Sequence, residues 1–217
     1  TVCMINHLIR SALLSKLSNP RFAYIAPTFK QAKSIAWDYM KQFTAKIPHT
    51  KFNETELRVD LPNGSRITLL GSESPDGLRG IYLDGCVIDE YANVNSKLFP
   101  EIIRPALSDR KGYCVFIGTP MGMNNNFYEL YQHAQGSEDW FNYKAKASDT
   151  KIVDDDELVK AKEVMGEKKY NQEFECDWIA NIEGAVYGDV IAKLDDDKQL
   201  TRVPYDPALP VSTAWDL

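Results

Sequence analysis

Cys86-Val87-Ile88-Asp89-Glu90 decides the fold, because three apolar residues run straight into two adjacent acids. An unbroken apolar run suits a strand buried on both faces, as in a parallel sheet. Two carboxylates at its end require the chain to emerge from the core there, and ligands of open α/β sheets bind outside the carboxyl ends of the strands. Acids in that place either serve a ligand or are solvated surface groups, so the pair needs a second feature beside it.

That feature lies one strand-helix unit later. Tyr113-Cys114-Val115-Phe116-Ile117 is another apolar run, and it ends in the small polar turn Gly118-Thr119-Pro120. Helical spacing over 96–107 separates the two runs. Upstream, Phe22-Ala23-Tyr24-Ile25-Ala26 predicts a strand closed by Pro27 and Thr28, followed by an amphipathic helix from Gln31 to Ile47. Alternation over 57–61 and 66–70 around Pro62-Asn63-Gly64 predicts a hairpin. Val2, Ile5, Leu8, Ile9, Ala12, Leu13 and Leu17 are spaced for a helix, so the chain opens inside one. Further helices are predicted over 126–135, 155–165 and 168–176, with a strand over 143–147. Strands alternating with helices give an α/β fold, a mostly parallel sheet flanked by helices.

Composition excludes some classes. The chain has 217 residues with a net charge of −6, which argues against bulk electrostatic coating of nucleic acid while leaving room for a local basic groove. No apolar run approaches the roughly 20 residues needed to cross a bilayer, and the first residues lack signal-peptide order, so the protein reads as cytosolic with no membrane partner. Cys3, Cys86, Cys114 and Cys176 form no CxxC pair, and His7, His49 and His133 share no ligand spacing, so neither disulfides nor zinc are expected. Trp37, Tyr39 and Phe43 read as core. Between 181 and 210 Gly, Pro and Asp cluster, which predicts a linker.

The acid pair resembles a Walker B motif. In that pattern the first carboxylate, Asp89, holds magnesium, and the second, Glu90, polarises the attacking water as catalytic base. Thr119, at the end of the neighbouring strand, is the candidate that senses the γ-phosphate and passes its position to a moving subdomain. Gly-Thr-Pro alone is an ordinary turn, and its meaning comes from the acidic strand beside it.

Tyr24-Ile25-Ala26-Pro27-Thr28-Phe29-Lys30-Gln31-Ala32, Gly77-Leu78-Arg79-Gly80, Val87-Ile88-Asp89-Glu90 and Ile117-Gly118-Thr119-Pro120 together resemble the large terminase subunit of tailed bacteriophages, over the whole chain. The resemblance implies a P-loop NTPase whose ATPase motor domain covers 1–180 without its P-loop strand, then the linker, then a ribonuclease-H-like nuclease domain whose first strand is 211–217. Thr1 becomes the magnesium-binding hydroxyl of Walker A, or simply the residue at which the sequence starts. Arg79 becomes a trans arginine finger, or a surface arginine in a loop. Asp216 becomes the first nuclease carboxylate, working with Mg2+ or Mn2+.

The implied function is ATP-driven translocation of double-stranded DNA into a procapsid, with endonuclease activity in the full-length protein. Implied cofactors are ATP and Mg2+. Implied partners are the portal protein, the small terminase subunit, DNA and further copies in a homo-oligomeric ring, in the cytoplasm of the infected host and transiently at the procapsid portal. Two other readings share part of the pattern: a helicase-like translocase, against which Asp216 stands, and an inactive ATPase-fold scaffold.

Overall fold

A computed structural model describes residues 1–179, together with 190, 193, 194, 197–199 and 208. The chain divides into two units, Thr1–Ala180 and Asn181–Leu217. In the second, Asp197 N–H donates to the Lys193 carbonyl at 2.9 Å and Gln199 N–H to the Leu194 carbonyl at 2.8 Å. Asp216 and the strand expected over 211–217 lie outside the described residues, as does most of 181–210.

The first unit carries a sheet of order β2-β3-β4-β1-β5-β6. Its strands are β1 (Arg21–Ala26), β2 (Lys51–Asn53), β3 (Arg58–Asp60), β4 (Arg66–Gly71), β5 (Gly85–Ile88) and β6 (Tyr113–Phe116). β1 pairs in parallel with β4 and β5, and β5 with β6, whereas β2, β3 and β4 form an antiparallel extension. The hairpin turns where predicted, with Gly64 at φ +84, a conformation that glycine adopts without a steric penalty. The mixed, mostly parallel α/β sheet has the expected class.

Alternation explains why the central strands read as continuous apolar runs. Phe22, Tyr24 and Ala26 of β1 face one core with Ile5, Leu8, Ile9 and Ala12 of α1 (Val2–Leu14), whereas Ala23 and Ile25 face the other with Leu98, Ile102 and Ile103. Helices thus cover both faces, and burying each leucine, isoleucine or phenylalanine among these side chains stabilises by roughly 1.5–3 kcal/mol.

The helix expected over 31–47 is built of α2 (Phe29–Ala32), a π turn (Lys33–Trp37) and α3 (Asp38–Thr44). That over 96–107 is a π segment, Leu98–Ile103, running into α4 (Arg104–Ser108). Pro105 has no N–H to give an α ladder, and the wider turn before it accommodates that loss.

α5 (Asn126–Gln135), α6 (Ala147–Thr150), α7 (Asp155–Met165) and α8 (Glu167–Phe174) complete the unit. Ala147, Leu158 and Tyr170 form a small core of their own, backed by Val153, Ala161 and Phe174.

Two expectations need correction, and one strand is unanticipated. Residues 143–146 form no strand, and Ala147 starts α6. Lys146 is extended, but the segment has no ladder partner among the described residues, and alternation cannot supply one. Tyr39 is 41% exposed, stacked on half-buried Phe43 at 5.7 Å, while Trp37 alone of the three is fully buried. β2 has no counterpart among the predicted strands.

The four cysteines are free thiols, and Cys86 and Cys114, opposite one another on β5 and β6, bring their sulfurs to 3.4 Å.

Candidate functional site

The parallel strands bring Pro27-Thr28, Ser72-Glu73, Asp89-Glu90 and Ile117–Pro120 to one edge of the sheet. Side-chain alternation sets what Asp89 meets. Val87 shares the core of α1 and Tyr24, so Asp89, two residues on, points to that same side. Tyr24 is the register partner of Val87, and its phenol reaches diagonally past it.

Asp89 is 4% exposed and fully partnered. Its Oδ2 accepts from the Thr1 hydroxyl at 2.8 Å and from the Tyr24 hydroxyl, and its Oδ1 accepts from the Glu90 backbone N–H at 2.9 Å. Thr1 stands at the N-cap of α1 yet makes no capping bond with its side chain, the hydroxyl being spent on Asp89. Burial first, and then the hydrogen bond to Asp89, keep the Tyr24 phenol protonated far beyond its ordinary range, so it stays a donor to the carboxylate.

Glu90 sits in the left-handed region, φ 49 and ψ 46, where a non-glycine residue stores about 1 kcal/mol or more. The turn breaks strand alternation and starts the short 3-10 turn Tyr91–Asn93. Its carboxyl titrates above the ordinary glutamate range, through burial first, then the Asp89 charge, then the Glu173 charge. A carboxylate half out of water beside a second one has the environment of a group poised to take up a proton.

Ile117 and Gly118 lie directly beside Glu90 and Tyr91. Tyr91 N–H donates to the Ile117 carbonyl at 3.1 Å, and a Cβ added at Gly118 would come 3.3 Å from Glu90 Cα and 3.2 Å from Tyr91 N. Half-buried Thr119 comes immediately after. The ends of β5 and β6 therefore meet at this edge of the sheet.

Arg79 is engaged elsewhere. It succeeds the 3-10 turn Pro75–Leu78, and its guanidinium binds Asp76 at 2.8 Å through Nε and Glu101 at 3.4 Å through Nη2. Its hydrogen bonds do not go to Asp89 or Glu90, and its side chain is 55% exposed. At the opposite end of β5, Asp84 accepts from Arg21 N–H at 2.7 Å and pairs with Arg110 at 3.4 Å, a structural acid.

Two residues of this neighbourhood escape sequence reasoning. Tyr24 reads only as part of an apolar strand, although a buried phenol must place its hydroxyl somewhere. Gln172, on α8, donates to the Pro120 carbonyl at 2.7 Å, and no spacing in the sequence signals it.

The family model for the terminase large subunit, T4likevirus-type, N-terminal, matches residues 8–189. The large terminase subunits of Thermus phage G20c and of Thermus virus P23-45 are each 30% identical over 126 residues, 49% of this chain and 26% of theirs. The chain thus spans about a quarter of the curated relatives it matches. Among solved structures, the large terminase ATPase domain of Thermus phage P74-26 aligns with a TM-score of 0.64 at 22% identity, over 77% of this chain and 80% of that one. The large terminase of a thermophilic bacteriophage, in complex with ADP, aligns with a TM-score of 0.64 at 14% identity, over 80% of this chain and 44% of that one. Matched along most of its length, the chain belongs to the terminase large subunit family, within that family's N-terminal region.

Proposed function

We propose that this chain is the ATP-hydrolysing part of a large terminase, a motor that drives double-stranded DNA into a procapsid. The observation that carries the reading is Asp89: a buried carboxylate at the carboxyl end of β5, held by the Thr1 and Tyr24 hydroxyls, with Glu90 half-buried beside it. Family membership supports it, as do the structures of the thermophilic bacteriophage's terminase in complex with ADP and with ATP-γ-S.

The donor set fits magnesium. Asp89 and Thr1 offer hard oxygens only, and Mg2+ in phosphate sites takes one or two protein oxygens alongside water and phosphate. Bound there, the ion would neutralise phosphate charge. Asp89 would hold it, Thr1 would turn its hydroxyl oxygen from Asp89 towards it, and Tyr24 would keep Asp89 fixed. Glu90, the catalytic base, would orient the attacking water and accept its proton, a role that suits a carboxyl titrating above the usual range. Thr119 would sense the γ-phosphate beside it. Arg79 would act in trans, moving from Asp76 and Glu101 to the nucleotide of a neighbouring copy in a homo-oligomeric ring.

The portal protein, the small terminase subunit and DNA are the partners this reading assigns, in the host cytoplasm and at the procapsid portal. Among the described residues, no helix is long and apolar enough to cross a membrane. In the full-length protein Asp216 is assigned to a separate Mg2+- or Mn2+-dependent nuclease, so Asp216→Asn should lose plasmid cleavage and keep phosphate release.

The decisive experiment is Glu90→Gln in full-length protein. ATP turnover should vanish while ATP binding persists, and Asp89→Asn should weaken magnesium-dependent binding too. Turnover at the wild-type rate in Glu90→Gln would overturn the assignment of Glu90 as the base, whereas absence of nucleotide binding in the wild type would favour the scaffold reading.

A further inference from the structure

The helices α7 and α8 have their own small core, Leu158 and Tyr170 with Ala147, separate from the two clusters that line the sheet. A body with its own core can shift as a unit, and the contacts that join it to the sheet then fix its position. Gln172, in the last turn of α8 and 9% exposed, makes such a contact: its Nε2 donates to the Pro120 carbonyl at 2.7 Å, away from solvent.

Pro120 closes the turn that lies on Glu90. The Ile117 carbonyl accepts from Tyr91 N–H, and Gly118 has no room for a Cβ without pressing on Glu90 Cα and Tyr91 N. Rings run in parallel with this route. Trp178, just beyond α8, packs edge-on to Phe127 at 5.3 Å, and Phe127 to Tyr91 at 5.9 Å. Glu173, next to Gln172, lies near enough for its charge to be felt at Glu90.

We propose that Gln172 is a positioning residue for hydrolysis: its amide ties α8 to the 117–120 turn, and the turn holds Glu90 where it can act on water. The assignment rests on the ATPase reading of Asp89 and Glu90. It gives the α7–α8 body a direct hold on the hydrolytic step, so that displacing these helices lowers turnover without emptying the nucleotide site.

The test uses full-length protein. Gln172→Met keeps length and burial but removes the donor, leaving a buried carbonyl unpartnered. Turnover should fall about tenfold or more, with the Kd for a non-hydrolysable ATP analogue unchanged within about twofold. Phe174→Leu trims the same small core but keeps the Gln172 amide and its bond to Pro120, so it should leave turnover within about twofold of wild type at a comparable loss of Tm. If Gln172→Met does not fold, Gln172→Glu replaces it: its turnover relative to wild type should rise as pH falls and the carboxyl regains a proton to donate. Wild-type turnover in the folded Gln172 variant, or an equal loss in Phe174→Leu, overturns the proposal. Glu90→Gln is measured alongside: if it still turns over, the assignment of Glu90 as the base fails and takes the proposal with it. If it is dead while the Gln172 variant is active, only the proposal fails.

Discussion

The hydroxyl of Tyr24, on β1, donates to the carboxylate of Asp89, 65 residues further along the chain at the end of β5. Both side chains are buried, and the contact crosses from the fourth residue of one strand to the residue after the other. The acid is therefore held in place by the sheet itself.

Tyr24→Phe should lower stability by about 1–3 kcal/mol, because a buried carboxylate loses a donor and no water can replace it without a cavity. For a chain of this size that corresponds to a fall in Tm of about 2–4 °C for each kcal/mol. Magnesium-dependent ATP binding should weaken with it. Thermal melts at neutral pH give the check, and a variant as stable as wild type would show that the phenol does not support Asp89.

Glu90 makes a prediction about pH. Its folded-state pKa is raised, so the stability it contributes belongs to the protonated form. That contribution is fully present below the unfolded value of about 4.3 and is lost as pH rises through the folded value. Glu90→Gln should therefore melt above wild type at pH 8, with the difference narrowing on acidification. Turnover by the wild type should fall on the acid side at a pH above the ordinary glutamate range. Equal melting at pH 8, or a gap that grows in acid, would contradict the raised pKa.

Arg79 is ready to be exchanged between partners, since its bonds to Asp76 and Glu101 are solvent-exposed and such pairs contribute little. Arg79→Ala should leave nucleotide binding by isolated subunits intact and abolish the stimulation of turnover on ring assembly. Mixed rings measure the direction of action: a subunit lacking Arg79 should regain turnover beside an intact neighbour, and no rescue would leave Arg79 a cis or structural role.

Gly71 is fixed by space. A Cβ there would lie 1.9 Å from Glu73 Oε2 and 2.2 Å from Phe29 N, whose N–H donates to both oxygens of that carboxylate at the start of α2. Gly71→Ala should cost about 1–3 kcal/mol through forced rearrangement. A lower denaturant midpoint with an unchanged slope is the expected signature, and an unshifted midpoint would show that the Glu73 contact yields freely.

The legible parts of this molecule are those written locally. β1, β5 and β6 show as apolar runs, and Asp89-Glu90 and Gly118-Thr119-Pro120 show as the polar residues at the ends of β5 and β6. The illegible parts depend on partners far along the chain. β2 is three residues with two of them exposed, and only its pairing with β3 makes it a strand. Residues 143–146 alternate and read as a strand but find no partner among the described residues, so the local signal alone does not decide the structure. Tyr24 gives no sign of its hydroxyl's destination until Val87 is placed beside it in register. The left-handed turn at Glu90 is equally invisible, because glutamate carries no preference for it.

The cysteine pair beneath the acids has a practical consequence. Cys86 is fully buried, its sulfur 3.4 Å from that of Cys114, whose thiol is pushed up by burial and by the sulfur beside it. A thiol so placed reacts only when the core packed on that face of the sheet opens, while Cys3 stands exposed on α1. The alkylation rate of Cys86 in the native protein therefore times the opening of the core packed against the strand that leads to Asp89, with Cys3 as internal reference for the reagent. Followed with and without nucleotide, that clock would report whether a ligand at the sheet edge clamps the strand beneath it.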